Sequence, residues 1–193
     1  ESRGLGDVYK RQGYKEDLMA EHSATMEDHS PLHLGPREWL GELDGVGYRF
    51  ALVVSRFNRQ WTSALASAAV ERLRSRGVAT TDIEIFHVPG AFEIPFVVDR
   101  IAARRPFDAI IALGCVIQGE TPHASLINTT VAAALSEIAR RYAVPVIDAV
   151  VPVLNAAQAA ARCAPGPNNR GGYAADAAVE MARLARRLRE TVT

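Results

Sequence analysis

Cysteine is scarce. Cys115 and Cys163 are the only two in 193 residues, and no C-x-x-C accompanies them. That excludes a disulfide framework, and with the histidines scattered it leaves no metal-ligand spacing; it fits a reducing, cytoplasmic setting. An excess of one charge is lacking too. Basic residues number 22 and acidic residues 22, so no field is built for nucleic acid or a membrane surface. No apolar run approaches the roughly 20 residues that a bilayer-spanning helix needs. The opening residues lack the charged-then-apolar pattern of a secretory signal. Also missing are the G-x-x-x-x-G-K-[ST] loop, the G-x-G-x-x-G turn and the G-x-S-x-G elbow. The sequon Asn128-Thr129-Thr130 carries no meaning in a cytoplasmic helix. The length suits one α/β domain with extensions.

Residues 1–36 differ from the rest. They are polar, rich in Glu, His and Ser, and show no sustained period, so they read as a disordered extension. Asp7 to Gln12 resembles a translated sequencing adapter, which would put the native start at Met19 or Met26. His22, His29 and His33 read as solvated. The folded domain is expected over residues 37–193.

From Tyr48 onward, strand and helix patterns alternate. Strands are expected over Tyr48–Val54, Ile83–Val88, Ala109–Ile117 and Val144–Val153. Helices are expected over Thr62–Arg76, Phe92–Arg105, Ser125–Tyr142, Ala156–Arg162 and Tyr173–Leu188, with a Pro/Gly/Asn-rich break over Pro165–Gly172. Leu65, Ala69 and Leu73 would face inward on the first helix. Leu126, Val131, Leu135 and Ile138 would do so on the third. Strands that are continuous apolar runs imply a parallel sheet covered on both faces.

An open parallel sheet places its ligand outside the carboxyl ends of its strands. That rule selects Ser55–Trp61, Pro89–Glu93, Gln118–His123 and Val151–Asn155. In the first, Phe57 can stack on a planar ring or plug a sheet edge, and Asn58 can bond a polar tail. In the second, Gly90 permits close approach, Ala91 and Phe92 open a helix, and Glu93 either serves the macrodipole or accepts from ligand hydroxyls. In the third, Gly119-Glu120-Thr121-Pro122-His123 turns from strand to helix. Free amides there suit an anion, and His123 can carry a proton near neutral pH. His87, at a strand end among apolar neighbours, is expected to pack. Arg162, before the break, can clamp a phosphate or merely complement a helix C-terminus.

Taken together, the strings Arg56-Phe57-Asn58, Val88-Pro89-Gly90-Ala91-Phe92-Glu93-Ile94-Pro95, Gly114 through His123, Val144-Pro145-Val146-Ile147, Arg162 and Asn169-Arg170-Gly171 resemble the 6,7-dimethyl-8-ribityllumazine synthase family of riboflavin biosynthesis. The likeness runs from about Gly47 to Leu188. It implies a flavodoxin-like three-layer α/β/α sandwich around a four-stranded parallel sheet. It implies a transferase that condenses 5-amino-6-(D-ribitylamino)uracil with 3,4-dihydroxy-2-butanone 4-phosphate, releasing phosphate and water, with no cofactor and no metal. It also implies a homopentamer, or multiples of one, with sites between subunits. By that resemblance Phe57 stacks on the pyrimidine. Ala91, Phe92 and Glu93 hold the ribityl chain and ring edge, and backbone groups of Cys115, Val116 and Ile117 line the ring. Amides of Glu120 and Thr121 seat the phosphate, Arg162 completes that seat, and His123 carries protons.

Several residues depart from the family pattern. Asp148 stands where an aromatic usually reaches a neighbour's pyrimidine. Gln118 replaces an Arg, Ala124-Ser125 replaces an aromatic–Asp pair, and Thr129-Thr130 replaces Asn-Glu. Arg170 replaces a Lys, cation for cation. These changes motivate a second reading, a flavin- or lumazine-binding assembly with weak or no turnover. A flavodoxin-type electron carrier is disfavoured, because Ser55-Arg56-Phe57-Asn58 stands where a Ser/Thr-rich phosphate loop would be.

Overall fold

Alternate residues of a strand face opposite sides of its sheet, so an apolar run is stable only where helices cover both. The structure, a computed structural model, describes residues 39–104 and 106–191. The expectations for residues 1–36 lie outside them. Strands β1 (Phe50–Ser55), β2 (Ile83–Val88), β3 (Ala109–Ile117) and β4 (Val146–Val153) alternate with helices α1 (Arg59–Ser75), α2 (Ile94–Arg104) and α3 (His123–Tyr142). Helices α4 (Ala156–Cys163) and α5 (Arg170–Thr191) follow, and a short 3-10 turn, Ala91–Glu93, precedes α2. Every strand pairing is parallel, in the order β2-β1-β3-β4.

The layers follow from strand alternation. Phe50, Leu52 and Val54 of β1, with Ile111, Leu113 and Cys115 of β3, pack against α1, α4 and α5. Ala51 and Val53, with Ile110 and Ala112, pack against α2 and α3. Leu65, Ala69 and Leu73 seat α1 on the first face, all fully buried; each leucine contributes about 1.5–3 kcal/mol on burial. The chain thus forms the α/β three-layer arrangement around four parallel strands. Among the described residues no helix is long and apolar enough to cross a membrane.

The third helix differs in one respect from the periodic reading. Val131, Leu135 and Ile138 are buried, but Leu126 is 64% exposed, and Ala124 is the buried residue of the first turn. Leu126 lies five residues from Val131, about 140° around the helix, so it faces out. His87 is likewise exposed rather than packed. It sits on β2, an edge strand whose residues are mostly partly exposed.

Helix α5 begins at Arg170, inside the expected break. Its two glycines are not breakers here. A Cβ on Gly171 would lie 2.0 Å from the Leu65 carbonyl oxygen, so only glycine lets α5 press on the α1 backbone. Buried Asn169 secures the start: its Oδ1 accepts from the Gly171 amide at 2.8 Å, and its Nδ2 donates to the Cys163 carbonyl at 2.6 Å. Further along, buried Asp176 accepts from Arg72 at 2.9 Å and Arg76 at 2.8 Å. With two arginines on it, the carboxylate stays paired when either one is lost, and only the loss of both leaves its buried charge uncompensated.

Candidate active site

The connection after β1 goes to β2 on one side, while the connection after β3 goes to β4 on the other. Between the carboxyl ends of β1 and β3 the two excursions part and leave a crevice. A cavity of about 440 Å³ lies there. Three segments build its wall: Ser55 and Phe57 after β1, Gly90 to Glu93 after β2, and Cys115 to Ile117 of β3 running on to Gly119, Thr121 and His123.

The β1 corner holds its shape by local bonds. The Phe57 amide donates to Ser55 Oγ at 3.2 Å and to the Pro89 carbonyl at 3.1 Å. Asn58 takes the left-handed conformation, φ 57°, which Asn tolerates better than most residues. Its Nδ2 donates to the Cys115 carbonyl at 2.9 Å. Asn58 therefore braces the floor from outside and is not among the lining groups. The Phe57 ring is left 69% exposed, a flat apolar face with no partner from the core.

On the opposite wall, Gly90 is extended, and the Glu93 carboxylate folds over it. A Cβ on Gly90 would meet Glu93 Oε2 at 2.9 Å. Ala91 is buried and anchors the turn, while Phe92 is 59% exposed.

The third wall is the start of α3. Pro122 occupies the cap position, and no side chain satisfies the first amides. Ser125 Oγ donates to the Pro122 carbonyl at 2.7 Å rather than capping. Gln118 shapes the turn: its Nε2 donates to the Gly119 carbonyl at 2.9 Å and the Thr121 carbonyl at 2.8 Å. Both carbonyls are thereby occupied, and the uncapped amides with the positive end of the helix make a seat for an anion. His123 is exposed at the cavity wall, within reach of anything seated there. Glu120 is in the same turn, exposed, but does not line the cavity.

Three expected residues lie elsewhere in the chain. Asp148 sits on edge strand β4 opposite Ala112, well short of the strand's carboxyl end. Its Oδ1 accepts from the Val150 amide at 2.9 Å. The protein around it displaces enough water to push the carboxyl above its ordinary range, with the Val150 bond opposing. Arg162 is on α4, in the layer across the sheet from α3. Arg170 starts α5 and lies 5.2 Å from the Tyr173 ring centre.

Ser55, Gly119, Ala124 and Ile127 also line the cavity; none of them is an expected site residue, and Ile127 carries no expectation at all. Ala124 and Ile127 continue the α3 face at one-turn spacing, a signal readable once the helix start is placed at His123. Among the described residues no three His, Cys, Asp or Glu side chains converge as a metal site requires.

Comparison with known proteins bears on this geometry. The family model for 6,7-dimethyl-8-ribityllumazine synthase matches residues 47–186. Two curated relatives, from two strains of Clostridium kluyveri and both named 6,7-dimethyl-8-ribityllumazine synthase, are 39% identical over 148 residues. The alignment covers 77% of this chain and 96% of each relative. Among solved structures, a de novo designed Rossmann fold protein overlaps 58% of this chain and 90% of its own, with a TM-score of 0.32 and 19% identity.

Proposed function

Because the chain belongs to the 6,7-dimethyl-8-ribityllumazine synthase family, we propose that the crevice between the β1 and β3 ends is where it performs that family's reaction. It is a transferase of riboflavin biosynthesis, condensing 5-amino-6-(D-ribitylamino)uracil with 3,4-dihydroxy-2-butanone 4-phosphate to 6,7-dimethyl-8-ribityllumazine, with release of phosphate and water. One observation carries the assignment to this crevice. An unpartnered aromatic face, a carboxylate and an uncapped helix start beside a histidine line one cavity.

The chemistry suits those groups. The pyrimidine lies on the Phe57 ring, with the backbone of Cys115 to Ile117 along its edge. Glu93 accepts from ribityl hydroxyls. The phosphate of the four-carbon substrate seats on the amides at the start of α3. The pyrimidine amino group attacks the ketone and water leaves, giving an imine. A proton is lost from the neighbouring carbon as the C–O bond to phosphate breaks, and phosphate carries the electron pair away. The enol left behind returns to a second carbonyl. The ribityl-bearing nitrogen attacks it and water leaves again. His123 takes and returns the protons at these stages. Amides holding the phosphate ease its departure, and most of the acceleration comes from holding two reactive molecules together.

In one chain Asp148, Arg162 and Arg170 stand off this cavity. We assign them to the pocket of a neighbouring copy in a homopentamer or a multiple of it, with Arg162 closing on the phosphate. Exposed Phe57 and Phe92 at the rim support an apolar contact there.

The test mixes purified protein with both substrates and follows the absorbance of the lumazine. Formation above the uncatalysed background is the expected outcome. Tight binding of the product without turnover would replace catalysis with a binding role. Light scattering reads the assembly, and a monomer would remove the shared pocket.

A further inference from the structure

A second, smaller cavity of about 220 Å³ opens on the other side of the β1 corner and shares only Ser55 with the first. Its wall carries Arg56, Arg59, Thr62, Ser63 and His87, and no acidic residue. We propose that it is a phosphate-binding site, for inorganic phosphate or a phosphate monoester, distinct from the larger pocket and independent of the reading given to that pocket.

Three observations converge. First, the cavity lies at the start of α1, a 17-residue helix with no side-chain cap and no acid in its first turn. The residue that would ordinarily cap it, Asn58, has its amide turned to the Cys115 carbonyl, so the amides of the first turn and the positive helix end stay available. Second, Thr62 is only 1% exposed yet lines the cavity. Its hydroxyl makes no hydrogen bond among the described residues and is not sealed in the core, since Asn128 Oδ1 is the buried side-chain atom left without a partner there; it is open to the cavity, where a seated oxyanion would accept its proton. Third, Arg56 and Arg59 line the same cavity and form no ion pair among the described residues. Two unneutralised guanidiniums, an imidazole, hydroxyls and a helix start are donors throughout. Planar guanidiniums match a tetrahedral oxyanion through paired N–H bonds. A cavity of this size has room for several waters at about 30 Å³ each, enough for a hydrated phosphate.

Crystals of the full chain and of Arg59→Gln are soaked in inorganic phosphate, and in parallel in glycerol 3-phosphate, while calorimetry follows both ligands in solution. Tetrahedral density between Arg56, Arg59 and Thr62 Oγ1 is expected in the parent chain. In Arg59→Gln that density should vanish, and one class of phosphate site should weaken about tenfold, the loss of roughly one charge-assisted contact. Lumazine formation should stay within twofold, since Arg59 does not touch the larger pocket. Tighter binding of glycerol 3-phosphate than of phosphate identifies a monoester as the ligand, and the reverse identifies the free ion. An empty cavity in the parent chain, or density unchanged by Arg59→Gln, overturns the site.

Discussion

Asn58 and Cys115 stand 57 positions apart in sequence, and the side-chain amide of the first donates to the backbone carbonyl of the second at 2.9 Å. The bond fastens the β1 corner to the end of β3 beneath the larger pocket. Replacement by alanine removes it and also forces a non-glycine, non-Asn residue into the left-handed region. Asn58→Ala should cost about 2–3 kcal/mol, combining a lost hydrogen bond with left-handed strain. Asn58→Gly should cost about 1 kcal/mol, because only the bond is lost. Urea unfolding of both variants checks the ordering; alanine milder than glycine would contradict the account.

Gly90→Ala separates binding from stability. The added methyl meets the flexible end of Glu93 rather than backbone, so the carboxylate moves while the fold stays. The expected result is a raised KM for the ribityl-bearing substrate with Tm unchanged within about a degree. A collapse in Tm with KM intact would refute it.

His123 and Arg162 are expected to fail differently. His123→Ala should slow turnover by about 10²-fold or less, since proximity survives the loss of a proton carrier. Arg162→Ala should weaken use of the phosphate-bearing substrate more than pyrimidine binding. Steady-state kinetics with each substrate varied in turn measures both; equal losses for the two substrates would remove Arg162 from the phosphate.

Asp148 carries a pH signature. Its carboxyl is raised by burial from its ordinary 3.8, so the native state binds its proton more tightly than the unfolded chain does. Its contribution is therefore most favourable below pH 3.8 and is lost as pH rises through the native value. Asp148→Asn keeps an oxygen for the Val150 amide and should stabilise the chain at pH 7, by at most about 1 kcal/mol given its contact with solvent. The gain should disappear in acid. Thermal melts across pH would show a constant difference if the assignment were wrong.

Cys115 on β3 and Cys163 on α4 are free thiols, both buried in one core cluster. The contact with Cys163 lowers the Cys115 thiol, while the same contact and burial push Cys163 far up. Since the thiolate is the reactive form, a thiol reagent at mildly alkaline pH should label the native chain slowly and Cys115 first. Cys115 lines the larger pocket, so bound lumazine should slow it further. Mass spectrometry of the labelled peptides decides, and Cys163 leading would reverse the assignment.

Much of this architecture was legible in the residues. Apolar runs covered on both sides leave strong signals, and the four strands lie within two residues of where those runs put them. The misses have particular causes. Gly171 looks like a helix breaker in the sequence because the neighbour that requires it, the Leu65 carbonyl, is more than a hundred positions away. His87 read as packed because strand order, which makes β2 an edge, is not written locally. Leu126 is apolar and expected inward with the rest of the helical pattern, yet the period from Val131 turns it out. The pocket's lining was legible where turns followed strands. Asn58 and Gln118 were harder, since each donates to a carbonyl whose position only the folded chain reveals.

The parting of the chain between β1 and β3 ties ligand occupancy to the integrity of the sheet's centre. No one of the three walls is a cavity alone; the crevice exists only when strands from separate stretches of the polypeptide lie side by side. An opening that slides the two apart, however brief, abolishes the crevice all at once. A molecule held there thus acts as a rivet on the innermost pairing, and its grip is felt at the last part of the domain to unravel.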